Sequence, residues 1–195
     1  MDSTNNYMNQ QDFNKVIRAI PDLHIRKLDN LDVEMLFKIL YWCALRPMEG
    51  IRLSKNDINI NDRVIRLGKT KTKKNDKAII PQQFISELYP YINSKPEGRL
   101  FDGLKYITFY FWLRRLGVML NIDAWTSLES ETGEKTKGHI FRKSIGKDMV
   151  TGEIKDKNGN KIEIPVISQH LRHAKPSMTI DHYLKATSEQ VKNTF

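Results

Sequence analysis

The chain holds a single cysteine, Cys43, among its 195 residues. One thiol closes no disulfide and builds no cysteine-based zinc site within a chain. Its place in the apolar run Leu40-Tyr41-Trp42-Cys43-Ala44 reads as that of a small buried hydrophobe. Long hydrophobic runs are missing too. No stretch reaches the roughly 18 apolar residues that a bilayer-spanning helix needs. The opening residues, Met1-Asp2-Ser3-Thr4-Asn5-Asn6, are polar and lack the apolar region of a secretory signal. The expectation is a chain with no membrane partner that stays in the cytoplasm, associated with DNA in the nucleoid or whatever compartment holds it. Negative charge is also in short supply: 23 acidic residues stand against 32 lysines and arginines, a formal net charge of +9. Such a surplus points to a polyanionic partner, with nucleic acid ahead of an acidic membrane surface. Neither an internal repeat nor a long linker breaks the chain, and its length suffices for one domain with a proper core.

What is present is mostly helical pattern. Phe13, Val16, Ile17 and Ile20 recur at helical spacing after Asn9, and Pro21 stops that helix. Asn30 and Asp32 are candidate caps for the next, which carries Val33, Leu36, Ile39, Leu40 and Cys43 inward. Pro47 breaks or restarts the helix at Arg46. The period then shortens. Asp57-Ile58-Asn59-Ile60, Val64-Ile65-Arg66-Leu67 and Ala78-Ile79-Ile80 read as short strands, with a very basic hairpin at 69–77 between the last two. Helices follow from Pro81 and over 106–121, the latter with an aromatic stripe expected in the core. Residues 126–138 read as a polar loop, and a helix is expected from His139 to Val150. Ile154, Ile162 and Ile164 alternate around Asn158-Gly159, the pattern of a second hairpin within about 152–165. Two short helices, near 166–173 and 177–187, close the chain. The expected fold is mainly α with a small antiparallel β-sheet, an α+β class. Residues 1–8 form a flexible N-terminus, 9–187 one domain, and 188–195 a C-terminal tail.

The chemistry-bearing residues fall in a telling order. Arg46 comes first, then the lysines of the 69–77 hairpin, then His139-Ile140-Phe141-Arg142, then His173, then Tyr183. Each alone is a weak signal; together they suit attack on a phosphodiester. A hydroxyl attacking phosphorus builds negative charge on the non-bridging oxygens. Two arginines clamp such oxygens bidentately and stay protonated at any useful pH. Histidines donate hydrogen bonds to them and help move a proton. A lysine on a hairpin tip reaches the leaving oxygen as general acid. A tyrosine forms a covalent phosphoenzyme that conserves the bond energy for religation. No acidic cluster of metal-site type accompanies this set, so no cofactor or metal is expected, and the logic is electrostatic stabilisation by side chains.

This order resembles the tyrosine recombinase, or phage integrase, family. Ala44-Leu45-Arg46-Pro47-Met48-Glu49 resembles the family's first arginine box. Gly138-His139-Ile140-Phe141-Arg142 resembles its His-x-Leu-Arg box, and the segment from His173 through Pro176, Met178 and Thr179 to Tyr183 resembles its C-terminal ending. The resemblance spans about residues 8–187 and implies the catalytic domain of a recombinase. It implies that Arg46 and Arg142 hold the scissile phosphate and that His139 and His173 hydrogen-bond it. Tyr183 would attack to give a 3′-phosphotyrosyl link and a free 5′-hydroxyl. The general acid would be Lys71, since Thr70-Lys71-Thr72 resembles the family's Thr-Lys-Thr. Lys73 competes from the same strand face, and Lys69 is a distant third. The implied partner is double-stranded DNA, with self-association as a tetramer on two DNA sites, in integration or recombination of a mobile genetic element. Candidate phosphate contacts are Lys69, Lys73, Lys74, Lys77, Lys143, Lys147, Arg172 and Lys175.

Three departures stand out. The family's Leu-Gly-His is Leu171-Arg172-His173 here, which either adds a phosphate contact or alters a turn. Lys143 follows the second arginine where histidine is frequent. The stretch from Arg142 to His173 is longer than usual, and the hairpin within 152–165 accounts for the excess. Family members also commonly carry an N-terminal helical domain that clamps the other face of the DNA, whereas the resemblance here covers the catalytic domain. The tail after Tyr183 either packs in trans on a neighbouring subunit, as in the family, or frays. Two competing functions share the fold: a DNA-binding accessory module with weak or no catalysis, and a type IB topoisomerase-like DNA relaxer.

Overall fold

The structure is a computed structural model and describes residues 7–23, 25, 28–68, 76–121 and 139–183. The chain divides into two compact units, Met1–Ser144 and Ile145–Phe195.

In the first unit, local signals set the element ends. Helix α1 (Gln10–Arg18) starts where the Asn9 side chain accepts from the Asp12 N–H, and a 3-10 turn over Ile20–Leu23 takes up Pro21. Helix α2 (Asn30–Trp42) is capped by Asp29, whose carboxylate accepts from the Asp32 N–H. The expected caps Asn30 and Asp32 therefore lie inside the helix. Asp32 is instead buried, accepting from the Tyr91 hydroxyl at 2.8 Å and pairing with Lys95. Desolvation and this carboxylate push the Tyr91 hydroxyl far above its usual range. Helix α2 is apolar on nearly all sides, with Val33, Met35, Leu36, Phe37, Ile39, Leu40 and Tyr41 buried, so it runs through the core of its unit.

Helix α3 (Pro47–Ile51) follows, with Pro47 in its first turn. The three expected strands form one antiparallel sheet in the order β1 (Ile58–Asn59), β2 (Val64–Leu67), β3 (Asp76–Ile79). Ile65 pairs with Ala78 and Arg66 with Lys77. Ile65, Leu67 and Ala78 face the core while Arg66 and Lys77 face out, the alternation of a half-buried sheet. Helix α4 (Gln82–Ser94) begins after Pro81 as expected. Helix α5 (Tyr106–Leu120) ends on a left-handed Asn121. Its expected core stripe is buried at Phe109, Trp112, Leu113 and Leu116, but Tyr106 is exposed and Tyr110 only half-buried.

The heart of this unit is aromatic. Phe141 lies 5.0 Å from Phe37, 6.2 Å from Phe13 and 6.4 Å from Phe109, and Phe13 stacks on Tyr41 at 4.2 Å. Met8, expected in the loose N-terminus, is buried, and its N–H donates to the Ser144 hydroxyl at 2.9 Å.

Helix α6 (Ile140–Thr151) carries the chain from one unit into the other. Within the second unit Ile145, Met149, Val150, Ile154, Ile167 and Leu171 are buried. Helices α7 (Ile164–His170) and α8 (Pro176–Tyr183) pack on each other here. The expected hairpin is reduced to one isolated bridge, Lys155 to Lys161, and no strand forms. The Asp156 carboxylate accepts from the N–H groups of Asn158 and Asn160, closing a side-chain-built turn with Gly159 at φ +80°. Ile164 and Pro165, expected on a strand, open α7 instead, because proline fits a helix's first turn and cannot donate to a ladder.

Phe141 touches three aromatic rings, so its loss leaves a cavity rather than a trimmed surface. Phe141→Ala is expected to destabilise the protein by about 3–5 kcal/mol, measured by urea denaturation. A loss below about 1 kcal/mol would mean that the cluster does not hold the unit together.

Candidate active site

The residues of the first arginine box are placed by the end of α2. Ala44 adopts a left-handed conformation, φ +50°. The Leu45 N–H reaches the Leu40 carbonyl and the Ala44 N–H the Tyr41 carbonyl, the paired bonds of a Schellman helix end. Leu45 is buried, and the next residue, Arg46, emerges at the surface. Glu49 then fixes Arg46 twice. Its carboxylate accepts from the Arg46 backbone N–H at 2.7 Å and from the guanidinium at 2.8 Å. Gly50 completes the box for a steric reason. A Cβ there would meet Leu40 Cδ2 at 2.6 Å and Leu36 Cδ1 at 3.2 Å, so α3 lies close on α2 only because the side chain is missing.

The Ala44 carbonyl, exposed by the same turn, accepts from Arg142 Nη1 at 2.7 Å. Arg142 is 7% exposed, so its guanidinium is held with little access to solvent. Its neighbour in sequence, Phe141, is the side chain anchored in the aromatic core, which sets the helix rotation that aims Arg142 at Ala44. His139 sits in a short 3-10 turn just before α6, half-buried. Burial first, then the charges of Arg142, Arg46 and Lys143, hold its imidazole below the usual histidine range, with Glu49 opposing. The first unit therefore brings Arg46, His139 and Arg142 within one electrostatic neighbourhood. It holds two fixed guanidiniums there beside an imidazole whose protonation burial and their charge disfavour, a combination suited to an anion.

The second unit repeats the helix-end device. Arg172 has φ +51°, the His173 N–H reaches the Ser168 carbonyl, and the Arg172 N–H reaches that of Gln169. This is again a Schellman end, with arginine at the position where glycine is favoured. The substitution noted in Leu171-Arg172-His173 therefore leaves the turn intact at a conformational cost of about 1–2 kcal/mol. Nε and Nη1 of Arg172 are shielded from solvent. The turn delivers His173, whose Nδ1 shares a 2.8 Å hydrogen bond with Thr179 Oγ1. Thr179 is fully buried on α8, so it fixes the imidazole's rotation and leaves Nε2 as the other ring nitrogen. Tyr183 ends α8, half-buried.

Among the expected phosphate contacts, Lys77 and Lys175 are exposed, and Lys143 and Lys147 are half-buried on α6. Lys69, Lys71, Lys73 and Lys74 lie outside the described residues, as do the 126–138 loop, residues 1–6 and the tail. The turn within 152–165 is not a basic patch. Between Glu153 and Glu163 it carries three lysines (Lys155, Lys157, Lys161) and three carboxylates (Glu153, Asp156, Glu163). Sequence reasoning missed the positioning groups. Glu49 was legible as the third residue of a helix opened by Pro47, the reciprocal-cap position. Thr179 on the inner face of α8 and the Ala44 carbonyl carried no local signal.

Residues 6–190 match the phage integrase family, and the chain belongs to that family. A 114-residue stretch is 30% identical to the tyrosine recombinase XerA of Saccharolobus solfataricus, covering 56% of this chain and 39% of that relative. The fold is shared with the catalytic domain of bacteriophage HP1 integrase, with a TM-score of 0.62 at 18% identity over 90% of this chain and 85% of that one. It is shared as well with XerH site-specific recombinase bound to its difH substrate, with a TM-score of 0.64 at 14% identity over 98% of this chain and 54% of that one. The chain thus spans less than half the length of the XerA relative and about half of XerH.

Two outcomes follow. His139 is expected to titrate below 6.5 in an NMR pH series. Glu49→Gln lowers the midpoint further and Arg46→Met raises it, and unchanged midpoints in both variants would mean that the charges do not reach the ring. Because the unfolded chain then binds the extra proton, His139 costs stability as the pH falls below about 6.5, and His139→Gln removes that acid-side loss. Separately, Arg172→Gly is expected to raise stability by about 1 kcal/mol in chemical denaturation. A loss would show that the packing of the arginine side chain outweighs the strain at φ +51°.

Proposed function

We propose that this chain is the catalytic part of a site-specific recombinase that cleaves and rejoins double-stranded DNA through a tyrosine–phosphate intermediate. The observation that carries the proposal is the anion-ready group of the first unit. Arg142 is fixed on the Ala44 carbonyl, Arg46 is fixed by Glu49, and burial together with their charge holds the His139 imidazole below the usual histidine range.

The residues take these parts. Arg46 and Arg142 hold the non-bridging oxygens of one phosphodiester and stabilise the charge that grows there as attack proceeds. They supply the positive charge that metal ions supply in many other phosphoryl transfers. His139 and His173 hydrogen-bond the same phosphate and take up the proton released by the nucleophile. The Tyr183 oxygen forms a bond to phosphorus as the bond from phosphorus to the 5′ oxygen breaks. The strand is left joined to the enzyme through its 3′-phosphate. The 5′ oxygen leaves with a proton from Lys71, in competition with Lys73. Attack by a 5′-hydroxyl, from the same or another strand, reverses the sequence and releases Tyr183. Exchange between two duplexes calls for more than one protomer, and a tetramer on two sites meets that need.

Support for DNA as the substrate comes from the net charge of +9 and from the relatives that are themselves solved on DNA, among them XerH with difH. Lys77, Lys143, Lys147 and Lys175 are the described candidates for flanking phosphates, and binding that rests on such contacts falls steeply with salt.

Covalent trapping tests the reading. The protein is incubated with supercoiled plasmid and nicked duplexes in EDTA, quenched in detergent and resolved for a protein–DNA adduct. The expected result is an adduct that Tyr183→Phe abolishes and that Arg142→Ala reduces by about 100-fold or more. Lys71→Ala is expected to stop cleavage while Lys73→Ala does not, and the reverse pattern would transfer the acid role to Lys73. Salt-sensitive binding without an adduct on any substrate would favour a DNA-binding module on the same fold.

A further inference from the structure

Within the second unit, the Tyr183 ring meets α6 at Gly146. A Cβ built on Gly146 would lie 2.7 Å from both the ring carbon Cζ and the hydroxyl oxygen of Tyr183, and 3.0 Å from Leu171 Cδ1. Gly146 is an interior residue of α6 and is buried, so it is neither a cap nor a turn. Glycine in a helix interior costs about 1 kcal/mol relative to alanine, so nothing local to the helix favours it. The reactive end of the phenol fills the space that a methyl group would take.

We propose that Gly146 is a positioning residue that forms the seat of the Tyr183 phenol and so fixes where its hydroxyl stands. The inference rests on Tyr183 being the nucleophile. Restoring an ordinary contact distance around a methyl at position 146 moves the phenol by about 1 Å, and a displacement of that size at a reacting atom costs on the order of 100-fold in rate. The atoms in the way are the far ends of two side chains, so Gly146→Ala shifts the tyrosine without unfolding the protein.

The test has a catalytic arm and a catalysis-free arm, both on the whole chain. In single-turnover trapping on a nicked duplex, Gly146→Ala is expected to slow adduct formation about 100-fold. Binding of the same duplex, compared between Tyr183→Phe and Gly146→Ala/Tyr183→Phe, stays unchanged. In thermal unfolding, Gly146→Ala in a Tyr183→Ala background raises Tm by about 2–4 °C, the gain of removing a helical glycine. In the presence of Tyr183 that gain is absent or reversed. An unchanged adduct rate, an equal loss of duplex binding, or the same Tm shift in both backgrounds would each overturn the seat. If Tyr183→Phe still forms the adduct, the nucleophile assignment fails instead, and the thermal cycle alone decides whether the phenol sits on Gly146.

Discussion

The burial of one phenylalanine constrains most of what surrounds Arg46, His139 and Arg142. Phe141 is packed against Phe13, Phe37 and Phe109, drawn from α1, α2 and α5. A ring enclosed by three others has one position and one helix rotation available to it. Once that rotation is set, Arg142 meets the Ala44 carbonyl and His139 falls under the charges of Arg142 and Arg46. The apolar residue inside the His-x-x-Arg box is thus what makes its two polar ends useful.

The electrostatic arrangement of the first unit is suited to an anion. Two guanidiniums and a lysine act on one half-buried imidazole, and the visible counter-charge is Glu49, which is occupied in holding Arg46. Rigid delivery accompanies it. Left-handed residues, Ala44 and Arg172, close Schellman turns that lead into Arg46 and His173. At Arg172 the backbone accepts a conformation that glycine would adopt without strain. The chain therefore keeps the shape of the turn although the residue type has changed.

Much of this was legible beforehand. Helices opened at Pro47, after Pro81 and after Asn9, as the sequence indicated, since such signals act within one helical turn. The sheet strands showed through their period of two. The errors came where a tertiary or side-chain interaction outweighed pattern. Asp32 was taken by Tyr91 and Lys95 and left capping to Asp29. The alternation around Asn158-Gly159 was real, but Asp156 closed the turn by itself and Pro165 started a helix, so no hairpin grew. In the site, residue types and order pointed to phosphate chemistry, whereas Thr179, Ser144 and Gly146 carried no sign of their partners.

The sequence by itself determined the chemical inventory: which cations, imidazoles and tyrosine are available, in what order, and where helices begin and end. These depend on residue type and on neighbours within a few positions. Only the tertiary structure decided which backbone oxygen receives Arg142, which hydroxyl orients His173 and which missing methyl admits the Tyr183 ring. Those pairings join residues up to 98 positions apart. They are selected by packing, because a guanidinium or a phenol accepts many partners and the close-packed surroundings leave it one.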